Sequence, residues 1–323
     1  MRVLIVNEHD VETILTMREC IAAMEEALSV LARGEVTQPL RSLVRGSGAQ
    51  GILGLMPAHR GGKNPVYGLK EVCVFPGNPA RGLDTHLGAV LLHSGENGAL
   101  LAVVNASAIT AIRTAAVSAV ATRLLAREDA KTLAIIGAGV QAKSHLESIP
   151  LVRKISDVRV YSRTREKAEK LVAGLRDSAV AGSVEDAVRG ADIIVTATSS
   201  KEPVLRAEWI ATGAHINAVG SSIAAAREVD GATMRAASLF VDRKESTVNE
   251  SGDYLFALRE GAIKEGHAMT EIGDVLIGAA GGRKSRHEIT LFKSLGLAIE
   301  DLASAAFIYD KVGRSGGGTF VEF

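Results

Sequence analysis

The six residues Gly137-Ala138-Gly139-Val140-Gln141-Ala142 constrain this chain more than any other feature. They join an apolar run, TLAIIG, to a segment of helical character, VQAKSHLESI. A strand that ends in G-x-G-x-x-A and runs straight into a helix has to turn sharply. Gly137 makes the tight turn, Gly139 lets backbone approach a ligand, and Ala142 lets the helix pack closely on the strand. The segments that follow complete a βαβ unit: strand DVRVYS, helix TREKAEKLVAGL, a short strand near Val180, then SVEDAVRGA and strands DIIVTATS, HINAVGS and ASLFVD. Strands that are apolar throughout and alternate with helices predict a parallel sheet covered on both faces. The expected fold class is α/β, with a Rossmann-type doubly wound parallel sheet.

A helix starting at Val140 points free N–H groups and the positive end of its dipole at the glycine loop, which suits a pyrophosphate. Glycine-rich strand–helix turns also arise for packing alone; here the complete βαβ context favours a dinucleotide. Which dinucleotide is read at the end of the second strand, where an Asp or Glu ordinarily bonds the ribose hydroxyls of NAD. This chain has Ser162, Arg163 and Thr164 there and no carboxylate. Ser162 and Thr164 can bond a 2′-phosphate and Arg163 can pair with it, so NADP(H) is favoured and NAD(H) remains possible. The alternative is that Arg163 is a solvated loop cation. Further candidates for cofactor contacts are Val140 and Gln141 in the loop, Thr114, Thr198 after strand DIIVTATS, and Val219, Gly220 and Ser221 at the end of HINAVGS. Ser221 and Ser222 stand where parallel sheets bind ligands, or they cap the next helix.

Around this unit the 323 residues leave room for a second domain. After an opening strand over 2–6, Thr16 and Glu19 form a capping box. Met17, Cys20, Ile21, Met24, Leu28 and Leu31 then recur at helical spacing, with Gly34 at C′. Between about 40 and 104, SLVRG, GILGLMP, YGLKEVCVF, GAVLLHS and ALLAVVN alternate between Gly, Pro and Asn, predicting an antiparallel or mixed sheet. A long Ala-rich helix is expected over about 109–126, and LFKSLGLAIEDLASAAFIYDKV beyond Thr290 reads as one amphipathic helix. The last ten residues are Gly-rich, then extended. Three cations in the first third, Arg41, Lys70 and Arg113, sit in apolar company. A buried charge needs a partner, and a substrate carboxylate would serve, bound bidentately by Arg. Pairing with an Asp or Glu of the protein is the alternative.

Several classes are disfavoured. Basic and acidic residues balance at 37 each, so no electrostatic drive toward nucleic acid or an anionic membrane is expected. No apolar run approaches the roughly 20 residues of a membrane span, and MRVLIVNEHD has no signal-peptide character. The expected compartment is the cytoplasm. Two cysteines and eight scattered histidines make no metal pattern. No G-x-S-x-G elbow is present, and His86 in DTHLG is read as a loop histidine.

The ordered stretches QPLR (38–41), LGLMPA (53–58), GLK (68–70), FPGNP (75–79), ITAIRTAAVSA (109–119), IIGAGVQAKSH (135–145), HINAVG (215–220) and FKSLGLAIED (292–301) resemble the ornithine cyclodeaminase/mu-crystallin family along nearly the whole chain. The resemblance implies a homodimer. It implies a discontinuous substrate-binding and dimerisation domain of residues 1–118 and 301–323, around a Rossmann domain of 119–300. It implies that Arg41, Lys70 and Arg113 bind a substrate carboxylate, and that Thr85 lies near cofactor and substrate. Ornithine cyclodeaminases carry Glu where this chain has Gly54, and they and archaeal alanine dehydrogenases carry Asp where it has Ser222. The Ser162-Arg163-Thr164 end and ESGD at 250–253 are similar to the mu-crystallin-like branch. That branch implies NADPH-dependent reduction of a cyclic ketimine, and the expected substrate is Δ1-pyrroline-2-carboxylate or Δ1-piperideine-2-carboxylate; Lys70 or a water near Ser222 is the expected source of the proton. Ornithine cyclodeamination, alanine dehydrogenation and an NADPH-linked binding role without turnover are the alternatives.

Overall fold

The computed structural model describes residues 2–315 and 318–323. The Gly-rich run before the C-terminus therefore has Gly316 and Gly317 outside the described residues. The chain divides into two compact units, Met1–Arg113 with Leu297–Phe323, and Thr114–Gly296. From sequence the divisions were placed at 118/119 and 300/301.

The first unit is built on a mixed sheet. Strands Ile52–Arg60, Val66–Val74, His86–Ser94 and Leu100–Asn105 run antiparallel in succession. Arg2–Val6 joins Leu100–Asn105 in parallel, and Thr319–Glu322 closes that edge antiparallel to it. Val36–Thr37 and Ser42–Val44 both pair with Ile52–Arg60. Alternation decides what each face does. Met56, Val66, Lys70, Val90, Leu92, Ala102 and Val104 are buried. Helices Met17–Ala32 and Ala298–Ser315 pack on each other, and the second lies across the central strands. Leu302 comes so near Gly68 that a Cβ there would stand 2.6 Å from its Cδ1. Thr16 makes the expected capping box with Glu19, and Gly34 takes a positive φ of 76° beyond the helix. The short helix Glu8–Ile14, capped by Asn7, was not foreseen.

The second unit is an all-parallel sheet of eight strands in the order Ser178–Val180, Asp157–Tyr161, Thr132–Ile136, Ile193–Thr196, His215–Ala218, Thr290–Lys293, Ser238–Val241, Met269–Glu271. Successive side chains serve opposite layers. Leu133, Ile135, Ile193 and Val195 enter one core with Ala142 and Val160. Ala134, Ile136, Ile194 and Ile216 enter the other with Met234 and Leu291. That two-sided burial is why these strands read as apolar throughout.

Two expectations need correction. The segment beyond Thr290 is not one helix: Thr290–Lys293 is a buried strand of the parallel sheet, and the helix begins only at Ala298. Gly296, at φ 80°, makes the turn between them. The Ala-rich helix, Ala106–Leu125, is long and apolar enough to cross a membrane, contrary to the expectation that no run approaches that length; 72% of its most apolar window is buried inside the protein, so it is a core helix.

Candidate active site

In the second unit the glycine loop has the geometry the motif demands. Gly137 has φ 126°, and a Cβ there would lie 2.3 Å from the Ala197 carbonyl oxygen. Any other residue would force the two strand ends apart. Its N–H donates to Tyr161 O at 2.8 Å. Gly139 is the N-cap of helix Val140–Ser148 and supplies no side-chain cap, and nothing lies within 4 Å of where its Cβ would be. Val140 is exposed and Ala142 is fully buried against the strand. An uncapped helix N-terminus opened by a side-chain-free residue fits a pyrophosphate.

Behind the loop, His145 is fully buried and pinned at both nitrogens. Its Nδ1–H donates to Gln141 O at 2.7 Å and its Nε2 accepts from the Ser118 hydroxyl at 2.9 Å. Burial pushes its pKa down to about 4, so it is a neutral spacer between two helices. One turn further along helix Ala106–Leu125, Thr122 accepts from Asn217 Nδ2 at 2.9 Å, and Thr114 is buried on the same helix. At the end of the second strand Ser162 is half-buried, Arg163 and Thr164 are exposed, and Thr164 N–H donates to Ser162 Oγ at 3.3 Å.

The ends of the next two strands, which carry Thr198 and Val219-Gly220-Ser221-Ser222, are tied together by residues that sequence reasoning did not single out. Glu228 is completely buried. It accepts from Thr198 N–H at 2.6 Å and Gly220 N–H at 2.6 Å, and from the Thr196 hydroxyl at 2.9 Å. The N–H groups of Glu228 and Val229 donate to Asp253 Oδ1 at 2.7 and 3.0 Å. Asp253 Oδ2 is 2.8 Å from the ammonium of Lys293, both side chains being wholly inaccessible. Lys293 donates in turn to the carbonyls of Ala218 and Ser221. Burial pushes the Glu228 carboxyl up in pKa, with Lys293 pulling the other way. The Ser221 hydroxyl donates to Ala226 O and closes the turn. Neither serine caps the next helix, Gly231–Ala236, whose N-cap is Asp230.

In the first unit Lys70 and Arg113 come together and both are about 4% exposed. The partners they find are carboxylates of the protein. Lys70 Nζ donates to Thr110 Oγ1 at 2.7 Å and to Asp301 Oδ1 at 3.1 Å. Arg113 Nε donates to the same Asp301 oxygen at 3.1 Å, and its NH1 donates to Glu300 Oε2. The apolar surroundings that suggested a substrate clamp are thus explained in this structure by Glu300 and Asp301, two acids on the buried face of helix Ala298–Ser315. Their sequence signal was available: adjacent acids inside LGLAIEDLASAAF need a buried cation. Lys70 is lowered to about 8, first by burial, against the attraction of Asp301 and with the charges of Arg113 and Arg41 pushing the same way as burial. Arg41, half-buried, directly precedes strand Ser42–Val44. Register puts Gly54 on the Lys70 face, opposite Val72. His86 heads a strand on that face, opposite Val74, and Thr85, half-buried, accepts from Phe75 N–H at 2.9 Å through its carbonyl. No His/Cys/Asp/Glu cluster able to hold a metal occurs among the described residues.

Fold and loop together define a Rossmann-type dinucleotide-binding protein with a second, discontinuous unit. The pattern of the ornithine cyclodeaminase/mu-crystallin family matches residues 1–316, and the chain belongs to that family. It is 43% identical over 296 residues to the ketimine reductase mu-crystallin of Mus musculus, covering 90% of this chain and 91% of that protein. The Δ1-pyrroline-2-carboxylate reductase of Thermococcus litoralis, solved with NADH and L-proline, is 37% identical, with 98% of this chain and 99% of that one covered and a TM-score of 0.93. An archaeal alanine dehydrogenase dimer with bound NAD is 35% identical with both chains fully covered, at a TM-score of 0.94.

Proposed function

We propose that the protein is an NAD(P)H-dependent reductase of the C=N bond of a cyclic imino acid. Δ1-pyrroline-2-carboxylate or Δ1-piperideine-2-carboxylate would be converted to proline or pipecolate. The observation that carries this reading is the Lys70–Arg113 cluster: a buried lysine with pKa about 8 beside a guanidinium paired with two acids. The similarity to mu-crystallin ketimine reductase and to a reductase solved with L-proline supports it.

When bound, a reduced nicotinamide supplies the hydride. The chain's own groups do the rest. Arg113 and Arg41 hold the carboxylate, and fixing it orients the adjacent imine, which in well-aligned systems lowers a barrier by up to about 7–11 kcal/mol. Lys70 gives a proton to the ring nitrogen; an acid with pKa near the working pH is both charged and able to let go. A water near the half-buried Ser222, which follows strand His215–Ala218, is the other candidate donor. Ser162, Arg163 and Thr164, with no acid beside them, favour NADP(H) over NAD(H).

A homodimer belongs to this proposal. The face of the first sheet opposite Lys70 carries Leu53, Leu55, Pro57, Leu69, Leu91 and Val103, all only half-buried, with Tyr67 exposed. An apolar face of that kind, interrupted by Glu71 between Leu55 and Ala89, suits a second copy.

The test is absorbance at 340 nm with NADPH and Δ1-piperideine-2-carboxylate, with NADH in parallel. Rapid oxidation of NADPH, slower with NADH, is expected. No oxidation with either overturns the reading. The similarity to alanine dehydrogenase and the family's cyclodeaminases makes pyruvate with ammonia, then ornithine, the next substrates; tight NADPH binding with no turnover would point to a binding role.

A further inference from the structure

The cluster of Glu228, Asp253 and Lys293 lies inside the second unit and has none of its side chains among those assigned a part in the proposed reaction. Its position is specific. Glu228 bridges the backbone at Thr198, after strand Ile193–Thr196, to the backbone at Gly220, after strand His215–Ala218. The approach is so close that a Cβ on Gly220 would lie 2.2 Å from Thr198 O and 2.6 Å from Glu228 Oε1. Both carboxylate oxygens receive donors, three in all, and none of the three partners accepts a hydrogen from Glu228. Two backbone N–H donors, one on each oxygen, and a hydroxyl favour the ionised carboxylate, with Lys293 helping and burial opposing. Two acids, Glu228 and Asp253, share one base, Lys293, so the cluster holds one acid more than it has cations.

The strand order places this cluster. In a doubly wound sheet the glycine loop and the second strand end take one nucleotide, and the strands beyond the switch point take the other. Here the first nucleotide belongs to Thr132–Ile136 and Asp157–Tyr161, and the nicotinamide end to Ile193–Thr196 and His215–Ala218. The latter two ends are the ones Glu228 ties. Buried ion clusters add little to net stability, and their established use is to fix one geometry among several. A fixed anion also favours whichever redox form of a neighbouring ring is cationic.

We propose that Glu228 is a positioning residue for the nicotinamide end of the dinucleotide: its buried carboxylate holds the ends of two strands in one arrangement and leaves a negative charge beneath them that favours the oxidised, cationic ring over the reduced, neutral one. This rests on the dinucleotide-binding reading. The consequence is a bias toward giving up hydride, built into the protein and separate from the substrate cluster.

The test is equilibrium binding of NADP+ and of NADPH to the full-length protein and to Glu228→Gln and Glu228→Asp. Glu228→Gln keeps the shape, removes the charge and leaves an acceptor for only one of the Thr198 and Gly220 N–H groups. It is expected to weaken NADP+ on the order of tenfold while changing NADPH less than about threefold. A merely structural role would weaken both alike, and equal changes, or none, overturn the proposal. Glu228→Asp keeps the charge but withdraws it by one methylene. Its two affinities are expected to keep the wild-type ratio, while the deuterium isotope effect on kcat with 4-deuterated NADPH rises. Should Glu228→Gln not fold, Glu228→Asp decides alone: an isotope effect at the wild-type value, or a changed ratio, overturns the proposal. A wild-type protein that binds neither nucleotide would instead refute the dinucleotide reading itself.

Discussion

The two units each bury a small group of charges, and the groups are opposite in composition. In the first, Lys70 and Arg113 gather around Glu300 and Asp301, with the charge of the half-buried Arg41 acting on Lys70. In the second, Glu228 and Asp253 gather around Lys293. The first is built from side chains joined to side chains, with Asp301 Oδ1 shared by Lys70 and Arg113. The second is built mostly on backbone: Glu228, Asp253 and Lys293 bond the main chain at Thr198, Gly220, Glu228, Val229, Ala218 and Ser221. Side-chain pairs can exchange partners when an anionic ligand arrives. Backbone ties cannot be exchanged without moving strands. The first group therefore suits a carboxylate substrate that comes and goes, and the second suits a fixed platform.

Arg113→Ala should break the first group most severely. Glu300 and Asp301 would be left buried without their guanidinium, a loss of about 3–5 kcal/mol in stability. The folded fraction should lose kcat/KM on the order of a hundred- to a thousandfold. NADPH affinity should stay within about threefold, because the dinucleotide loop is untouched; a comparable loss of NADPH binding would dissolve the distinction between the two groups. Gly137→Ala is the converse. The strained φ and the contact with Ala197 O should lower dinucleotide affinity by at least about tenfold, measured by NADPH fluorescence, while an L-proline analogue keeps its dependence on Arg113.

The pH profile sharpens the role of Lys70. As the proposed proton donor, its ammonium is present below about 8 and lost above it. Log kcat/KM should therefore be flat at neutral pH and fall with a slope approaching about one per pH unit above that value. Lys70→Met should lower the plateau and remove this limb. An unchanged profile in Lys70→Met would transfer the proton to the water at Ser222. The smallest effect belongs to cofactor choice. Arg163→Asp removes an exposed charged partner whose bond to a 2′-phosphate lies at the low end, about 1.5 kcal/mol, so the NADPH-to-NADH ratio of kcat/KM should fall roughly tenfold; no shift would mean that Arg163 is a solvated cation.

What could be read in the sequence was local or periodic. The glycine loop, the Thr16–Glu19 box and the two-sided apolar strands each carry their cause within a few residues. Lys70 and Arg113 were visible because a charge in apolar surroundings is conspicuous. Their partners were not, because Asp301 is 231 residues from Lys70 and Glu300 is 187 from Arg113. Glu228 was harder still. In REVD it resembles any exposed acid, and only tertiary packing shows that three donors surround it. Lys293 was placed on a helix because LFKSLGLAIED has helical periodicity on both sides of Gly296. The strand Thr290–Lys293 wins because its neighbours His215–Ala218 and Ser238–Val241 pair with it on both edges, a tertiary gain that local pattern does not contain.

The central claim is that the Lys70–Arg113 group recognises a carboxylate. Calorimetric titration of the protein, saturated with NADP+, with L-proline and separately with L-prolinamide tests it most directly. The account predicts that L-proline binds and that the amide, isosteric but without the charge, binds on the order of a hundredfold more weakly. Equal affinity for the two would contradict it.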